Sequence, residues 1–272
     1  IQFIVTGTGG NDRFYVDNVQ ISSSGISATG AFSTATETAS ITVTAANDAP
    51  TITDLSGDSL SYSEGDGAVV FEQSGNALVS DVDSANLHTG TLTVSIPSGG
   101  DSAEDVLSIR NQGIGAGQIG VGGSNVTYQG VIIGTVTGGS SGSALVITLN
   151  SSATPTAVSA LVQNITYENT DTAAPTTGVR TVRYVLTDGD GGTSANYNTT
   201  VTVSGVNDDP IITSNGGGAS ASISLAENTT TVTTVSATDA DAGATLTYSI
   251  VGGDDAAKFT IDSSTGQLSF LS

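Results

Sequence analysis

The sequence has no cysteine, methionine or tryptophan, and its one histidine is His88. Without cysteine there is no disulfide, no thiolate metal site and no cysteine nucleophile. A single histidine cannot supply a histidine-based metal site, and we predict a solvated loop position for it. Only 5 lysine and arginine residues stand against 26 aspartate and glutamate residues, a formal charge of −21. Such a chain repels phosphate backbones and anionic lipid surfaces, so we expect no nucleic-acid partner and no membrane insertion.

Long apolar runs are also missing. None approaches the roughly 20 residues of a membrane span, and no signal peptide is visible at residue 1. The chain starts at Ile1 without a methionine, so we expect a mature or excised part of a longer protein. Its 272 residues suffice for two domains, or for one domain and parts of two others.

Apolar residues alternate with polar ones in several segments that are rich in β-branched residues and bounded by Gly, Asn, Asp and Ser. This pattern predicts strands with one buried face. The alternating residues are Ile41 and Val43; Leu92, Val94 and Ile96; Leu145, Ile147 and Leu149; Val182, Tyr184 and Leu186; Val201 and Val203; and Leu246, Tyr248 and Ile250. One helix is predicted over 154–163, where Thr154 can cap and Pro155 suits the first helical position. The sequence predicts an all-β fold.

An ordered set of short motifs occurs twice, about 160 residues apart. The first copy holds Asn47-Asp48-Ala49-Pro50, Tyr62-Ser63-Glu64 and Ser80-Asp81-Val82-Asp83; the second holds Asn207-Asp208-Asp209-Pro210, Leu225-Ala226-Glu227 and Thr238-Asp239-Ala240-Asp241. We therefore predict the end of one module at 1–47, a complete module at 48–207 and the start of a third at 208–272. Proline at each boundary stiffens the join.

Six motifs follow one another between residues 206 and 268: VNDDP, LAEN, ATDADAG, LTYSI, FTID and TGQL. Together they resemble the first two-thirds of a cadherin repeat, which implies that 208–272 is incomplete. Two further stretches, LVQNITYEN at 161–169 and RTVRYVLTDGDGGTS at 180–194, resemble the longer cadherin-like modules of giant bacterial surface adhesins of the RTX and biofilm-associated type. The resemblance implies tandem Ig-like or cadherin-like antiparallel β-sandwich modules in an extended rod.

The paired aspartates of the repeated motifs suggest Ca²⁺ binding. An Asp-x-Asp spacing in extended chain sends both carboxylates to one side, and Ca²⁺ takes about six to eight oxygens. The resemblance to cadherins places the ion between modules. It implies a first junction of Asn47, Asp48, Asp81, Asp83 and Asp188, and a second of Glu64, Asn207, Asp208, Asp209, Asp239 and Asp241. Glu227 would then serve a third junction.

The sequence also departs from the cadherin pattern. Ala45 and Gly205 stand where the usual linker has its first aspartate, and the linker before Pro210 is one residue shorter. No Asp-Arg-Glu motif is present, although the segment 103–105 could supply its acid. These departures predict one or two ions per junction and weaker binding. A solvated loop or Asx-turn remains the alternative for each Asp-x-Asp, and Asp54 and Asp58 are predicted to be surface turn residues.

These features predict a secreted or cell-surface protein without enzymatic activity, a Ca²⁺-stiffened rod for cell adhesion or for a biofilm matrix. Its expected partners are neighbouring modules of the same chain or other subunits, with surface glycans or matrix as further candidates. Two alternatives stay open. One is a subunit of an extracellular filament or sheath. The other is a carbohydrate-binding region, favoured if residues 1–22 close a jelly roll, as the similarity of NDRFYVDNVQI at 11–21 suggests.

Overall fold

The computed structural model describes residues 46–271. The predicted strand at 41–43 and the jelly-roll-like segment 1–22 lie outside this range, so both remain expectations.

Residues 48–207 fold into thirteen short strands and one helix. Their bounds are β1 (Thr51–Thr53), β2 (Ser59–Ser63), β3 (Val69–Val70), β4 (Leu78–Ser80), β5 (Thr91–Ser98), β6 (Asp105–Ile109), β7 (Ile119–Gly122), β8 (Asn125–Tyr128), β9 (Val131–Thr137), β10 (Leu145–Leu149), α1 (Pro155–Val162), β11 (Ile165–Asn169), β12 (Gly178–Leu186) and β13 (Tyr197–Ser204).

The strands form sandwich-like sheets around one apolar core. The larger sheet has eight strands in the order β2-β13-β12-β5-β10-β9-β8-β7. A three-stranded sheet, β3-β11-β6, and the pair β1-β4 accompany it. Aromatic side chains connect the sheets: Tyr62 on β2 meets Tyr167 on β11 edge-on, with ring centroids 5.0 Å apart. The all-β prediction is confirmed.

Within 48–207 the alternating segments became strands with the predicted buried face. They are β5, β10, β12 and β13, in which the alternating positions are buried except for the half-buried Ile96. The predicted helix is confirmed as α1. Thr154 caps it by accepting the N–H of Ala157 at 3.3 Å, and Val158 and Leu161 pack into the core.

Two expectations differ from the structure. The segment 246–250 is not a strand, because no neighbouring strand forms a ladder with it, although Leu246 and Tyr248 still turn partly inward. The sheets are also not wholly antiparallel, since β2 pairs with β13 in parallel. The physical reason is a change of sheet. β1 pairs with β4, and the loop 54–58 then carries the chain to the larger sheet, beside its last strand.

The loop 54–58 is thus an interruption between strands of two different sheets. A second interruption of this kind lies at 71–77, between β3 and β4. It also separates a strand of the three-stranded sheet from a strand of the β1-β4 pair. Leu55 anchors the first interruption in the core, and Phe71 and Ala77 anchor the second.

Residues 208–271 form five short strands in two small sheets. The strands are β14 (Ile211–Ile212), β15 (Thr231–Thr234), β16 (Ala237–Thr238), β17 (Phe259–Ile261) and β18 (Gln267–Phe270), paired as β14-β16 and β15-β18-β17. Across residues 46–271, no helix has the length and apolar character needed to cross a membrane.

Candidate metal centres at the two Asn-Asp linkers

The first linker is joined to a tight turn by one side-chain hydrogen bond. The Asn47 amide donates to Asp188 Oδ2 at 2.7 Å. The other oxygen of Asp188 accepts the backbone N–H groups of Asp190, Gly191 and Gly192 at 2.8, 3.1 and 2.9 Å. Burial raises the pKa of Asp188, but these hydrogen bonds outweigh it, so the pKa is lowered. The carboxylate is therefore ionised and fixed against the linker.

The predicted Asp-x-Asp pair lies on the other side of the same linker. Asp83 Oδ2 accepts the backbone N–H of Asp48 at 3.1 Å, and Asp81 Oδ1 accepts the N–H of Asp83 at 3.2 Å. Hydrogen bonds thus connect all five predicted residues of the first junction to the linker, directly or through one another. The second oxygen of Asp81 is buried and has no hydrogen-bond partner.

The second linker repeats this hydrogen-bond set. The N–H of Asp208 donates to Asp241 Oδ2 at 2.8 Å, and the N–H of Asp241 donates to Asp239 Oδ1 at 2.9 Å. The Asn207 amide donates to the carbonyl of Asp208 at 2.9 Å, as the Asn47 amide does to that of Asp48 at 3.3 Å. The predicted sequence repeat is therefore also a repeat of local structure.

Glu64 contacts the second linker from the end of β2. Its Oε2 accepts the N–H of Val206 at 2.9 Å, while its Oε1 is buried without a partner. Asp208 Oδ2 is likewise buried and unpartnered. Asp209 and Glu227 are both exposed.

These unpartnered oxygens are the chemical signature of the two linkers. A buried carboxylate oxygen without a donor loses its hydration without compensation. Burial and the neighbouring Asp83 carboxyl raise the pKa of Asp81 more than the backbone N–H groups of Ser84 and Asp83 lower it. Each linker could hold a hard cation through carboxylates, the asparagine amide and backbone carbonyls, the oxygen ligands that Ca²⁺ prefers. Between residues 46 and 271, however, no three acidic or histidine side chains already stand in a metal-binding arrangement.

Two polar groups lie inside the sandwich. Arg180 is fully buried and pairs with Asp105 at 3.4 Å, and Glu104 accepts the Asn169 amide at 3.0 Å. Both acids of segment 103–105 therefore bind polar side chains of the 48–207 sandwich. Asp58 closes a turn by donating its N–H to the Leu55 carbonyl at 3.3 Å, but it is half-buried. The flanking apolar alternation gave no signal for either group, because only the fold brings distant polar residues together.

Comparison with known proteins gives one family and a set of solved structures. The family model described as Cadherin domain matches residues 221–272. The solved structures include protocadherin gamma B7 cadherin domains 1–4 (18% identity, TM-score 0.32, 82% of this chain and 42% of that one). They also include mouse cadherin-23 EC22–24 (19%, 0.31, 83% and 55%) and Drosophila N-cadherin EC1–4 (14%, 0.29, 79% and 39%). No curated protein matches.

The chain spans about half the length, or less, of these three structures. The family match is confined to one segment. Residues 221–272 are thus cadherin-like in sequence, in a chain whose described part is all-β and sandwich-like.

Proposed function

We propose that this chain is an extracellular structural and adhesive repeat region, in which Ca²⁺ at the two Asn-Asp linkers stiffens a rod of β-sandwich modules. The observation that carries this proposal is the double occurrence of one hydrogen-bond set, Asn-Asp linker to Asp-x-Asp, with buried carboxylate oxygens left free beside it.

Electrostatics supports the need for a cation at these linkers. Two bare carboxylates about 4 Å apart repel by about 1 kcal/mol in water and about 4 kcal/mol at an effective dielectric of 20. The chain carries −21 in total and supplies few cations of its own. A divalent ion cancels the repulsion between the carboxylates, and the unpartnered oxygens of Asp81 and Asp208 can coordinate it.

The second linker can be stiffened because residues from both neighbouring β units contact it. Glu64, at the end of β2, holds Val206 just before the linker. Asp241, just after β16, holds Asp208 within it. An ion that shares oxygens from both sides fixes the angle between the two β units, and it stabilises each of them because it binds only the folded form.

The proposal assigns the protein to the cell surface or the secreted fraction, with no catalytic role. Its partners would be neighbouring modules or other subunits, in adhesion or in a biofilm matrix of the bacterial adhesin type. The cadherin-like segment 221–272 supports this assignment.

Small-angle scattering of the whole chain tests the proposal. We expect a longer maximum dimension in millimolar Ca²⁺ than in excess chelator, because the ion-free linkers bend. Asp239→Asn with Asp241→Asn should remove the part of this change that arises at the second linker. The matched control, Asp254→Asn with Asp255→Asn, removes two exposed charges from the same region and should behave as the unmodified chain. Identical profiles with and without Ca²⁺ would overturn the proposal.

A further inference from the structure

A polar cluster lies inside the sandwich where the two strand interruptions, 54–58 and 71–77, come together. Backbone hydrogen bonds hold the first interruption against β13. Gly57 donates to the carbonyl of Asn198 at 3.0 Å, and Thr200 donates to the carbonyl of Asp58 at 3.0 Å. Asp58 lies in the first interruption and Glu72 in the second, and they are close enough for the charge of Glu72 to act on Asp58.

The two carboxylates are held in different ways. Glu72 is only 3% exposed, and its oxygens accept the N–H groups of Ser74 at 3.1 Å and Ala77 at 3.5 Å. Asp58 Oδ2 is buried and has no hydrogen-bond partner. Burial and the charges of Glu72 and Asp54 raise the pKa of Asp58.

Two hydroxyl groups of the larger sheet belong to the same cluster. Tyr184 on β12 is fully buried, and its ring packs edge-on against Phe71, the neighbour of Glu72, with centroids 6.2 Å apart. Thr199 on β13 is 1% exposed and pairs with Val182, two residues from Tyr184. Neither the Tyr184 OH nor the Thr199 Oγ1 has a hydrogen-bond partner. Burial and the charges of Asp58 and Glu72 raise the pKa of Tyr184.

The charges determine which ligand this cluster suits. Among residues 46–271 the ion pairs are Arg180–Asp105 and Lys258–Asp255, so no basic side chain pairs with either acid there. A buried water could join the hydroxyls, yet it would leave the two negative charges uncompensated. A hard divalent cation compensates both charges and accepts carboxylate and hydroxyl oxygens together. Exposed Asp54 adds a third negative charge beside Asp58.

We propose that Asp58 and Glu72 bind one hard divalent cation of the Ca²⁺ type, with the hydroxyl oxygens of Tyr184 and Thr199 as further ligands. The site lies within the 48–207 sandwich and is separate from both linkers. Its ion would fasten the two interruptions to the larger sheet and does not set the angle between modules.

Ca²⁺ binding to a linker-disabled chain tests this site independently of the proposed function. The whole chain with Asp81→Asn, Asp83→Asn, Asp239→Asn and Asp241→Asn should still bind one Ca²⁺ in isothermal titration calorimetry. Adding Asp58→Asn should abolish that binding. Adding Asp254→Asn, which removes one exposed charge elsewhere, should leave it unchanged.

Two conservative variants keep the test valid if Asp58→Asn fails to fold. In the linker-disabled chain, Tyr184→Phe and Thr199→Val each remove one buried oxygen and no charge. Each should weaken Ca²⁺ binding about tenfold or more, because coordination depends on the ligand set. In Ca²⁺-free buffer Tyr184→Phe should melt no lower than its parent, since it removes an unpartnered buried hydroxyl.

Three results would overturn the inference. One is a linker-disabled chain that binds no Ca²⁺. Another is unchanged binding after Asp58→Asn. The third is an equal rise of the melting temperature on Asp58→Asn with and without Ca²⁺, which would show that a shared proton, not a metal ion, joins the two acids.

Discussion

Gly192 is the residue on which the first linker depends most closely. A Cβ at this position would lie 2.1 Å from Asp188 Oδ2, 2.8 Å from the Asn47 amide nitrogen and 2.9 Å from Ala49 Cα. The turn and the linker can therefore touch only because residue 192 has no side chain.

We accordingly predict that Gly192→Ala separates Asn47 from Asp188 and weakens Ca²⁺ binding at the first linker. The overpacking should cost about 1–3 kcal/mol of folding stability. Calorimetric Ca²⁺ titration and urea denaturation measure the two effects. Gly122→Ala is the control, since its Cβ would meet no atom within 4 Å. Equal binding by both variants would show that the turn is not part of the site.

Because the pKa of Asp81 is raised, we predict that Asp81→Asn changes the melting temperature in opposite directions with and without calcium. A carboxyl whose folded pKa lies above its unfolded value of about 3.8 stabilises the fold below that value, and this stabilisation is lost as pH rises through the folded pKa. Asp81→Asn should therefore raise the melting temperature in Ca²⁺-free buffer at neutral pH but lower it in Ca²⁺. The difference in Ca²⁺-free buffer should shrink toward pH 4. Asp188→Asn should lose stability at neutral pH, because the pKa of Asp188 is lowered.

At the scale of elements, β6 and β12 are joined by a buried ion pair. Arg180 Nε lies 3.4 Å from Asp105, and its guanidinium also donates to the carbonyls of Gly178 and Thr176. Asp105 accepts the Tyr167 hydroxyl at 2.5 Å as well. The arginine thus compensates the one charge that the interior side of β6 carries.

We predict that Arg180→Met lowers the free energy of unfolding by about 3–5 kcal/mol, because it leaves Asp105 buried without its partner. Urea denaturation measures the loss. Arg183→Met, on the same strand, removes only an exposed hydrogen bond to Asn198 and should cost less than about 1 kcal/mol. A similar cost for both substitutions would contradict a special role of the buried pair.

The elements show why some features could be predicted and others could not. Local periodicity and capping residues predict the strands β5, β10 and β12 and the helix α1. Asp48 lies beside Asp83 because β1 pairs antiparallel with β4, with Thr51 opposite Ser80, so the residues before β1 and after β4 come together. The Arg180–Asp105 pair and the cluster around Asp58 depend on which sheets face each other. No local pattern encodes that, and segment 246–250 alternates without gaining a ladder partner.

Across the whole molecule, the charge of −21 raises the question of whether simple screening could replace a bound ion. At 0.1 M salt the Debye length is about 10 Å, so salt weakens long-range repulsion but cannot ligate an oxygen. We predict that adding sodium chloride in chelator restores little of the maximum dimension gained in millimolar Ca²⁺. Scattering at matched ionic strength measures this. Equal extension by sodium chloride would mean that repulsion alone bends the linkers.

The parallel pairing of β2 with β13 has a mechanical consequence. Ser59–Ser63 lies alongside Thr200–Ser204 in register, with β2 near the start of the sandwich and β13 at its end. Tension between the two ends draws β2 backward and β13 forward, so the strands slide lengthwise past each other. The backbone hydrogen bonds between them are then loaded in shear and must yield together, whereas a pull across the strands would unzip them one by one. The same sheet change that brings Asp58 into the interior therefore makes the sandwich resistant to stretching along its length.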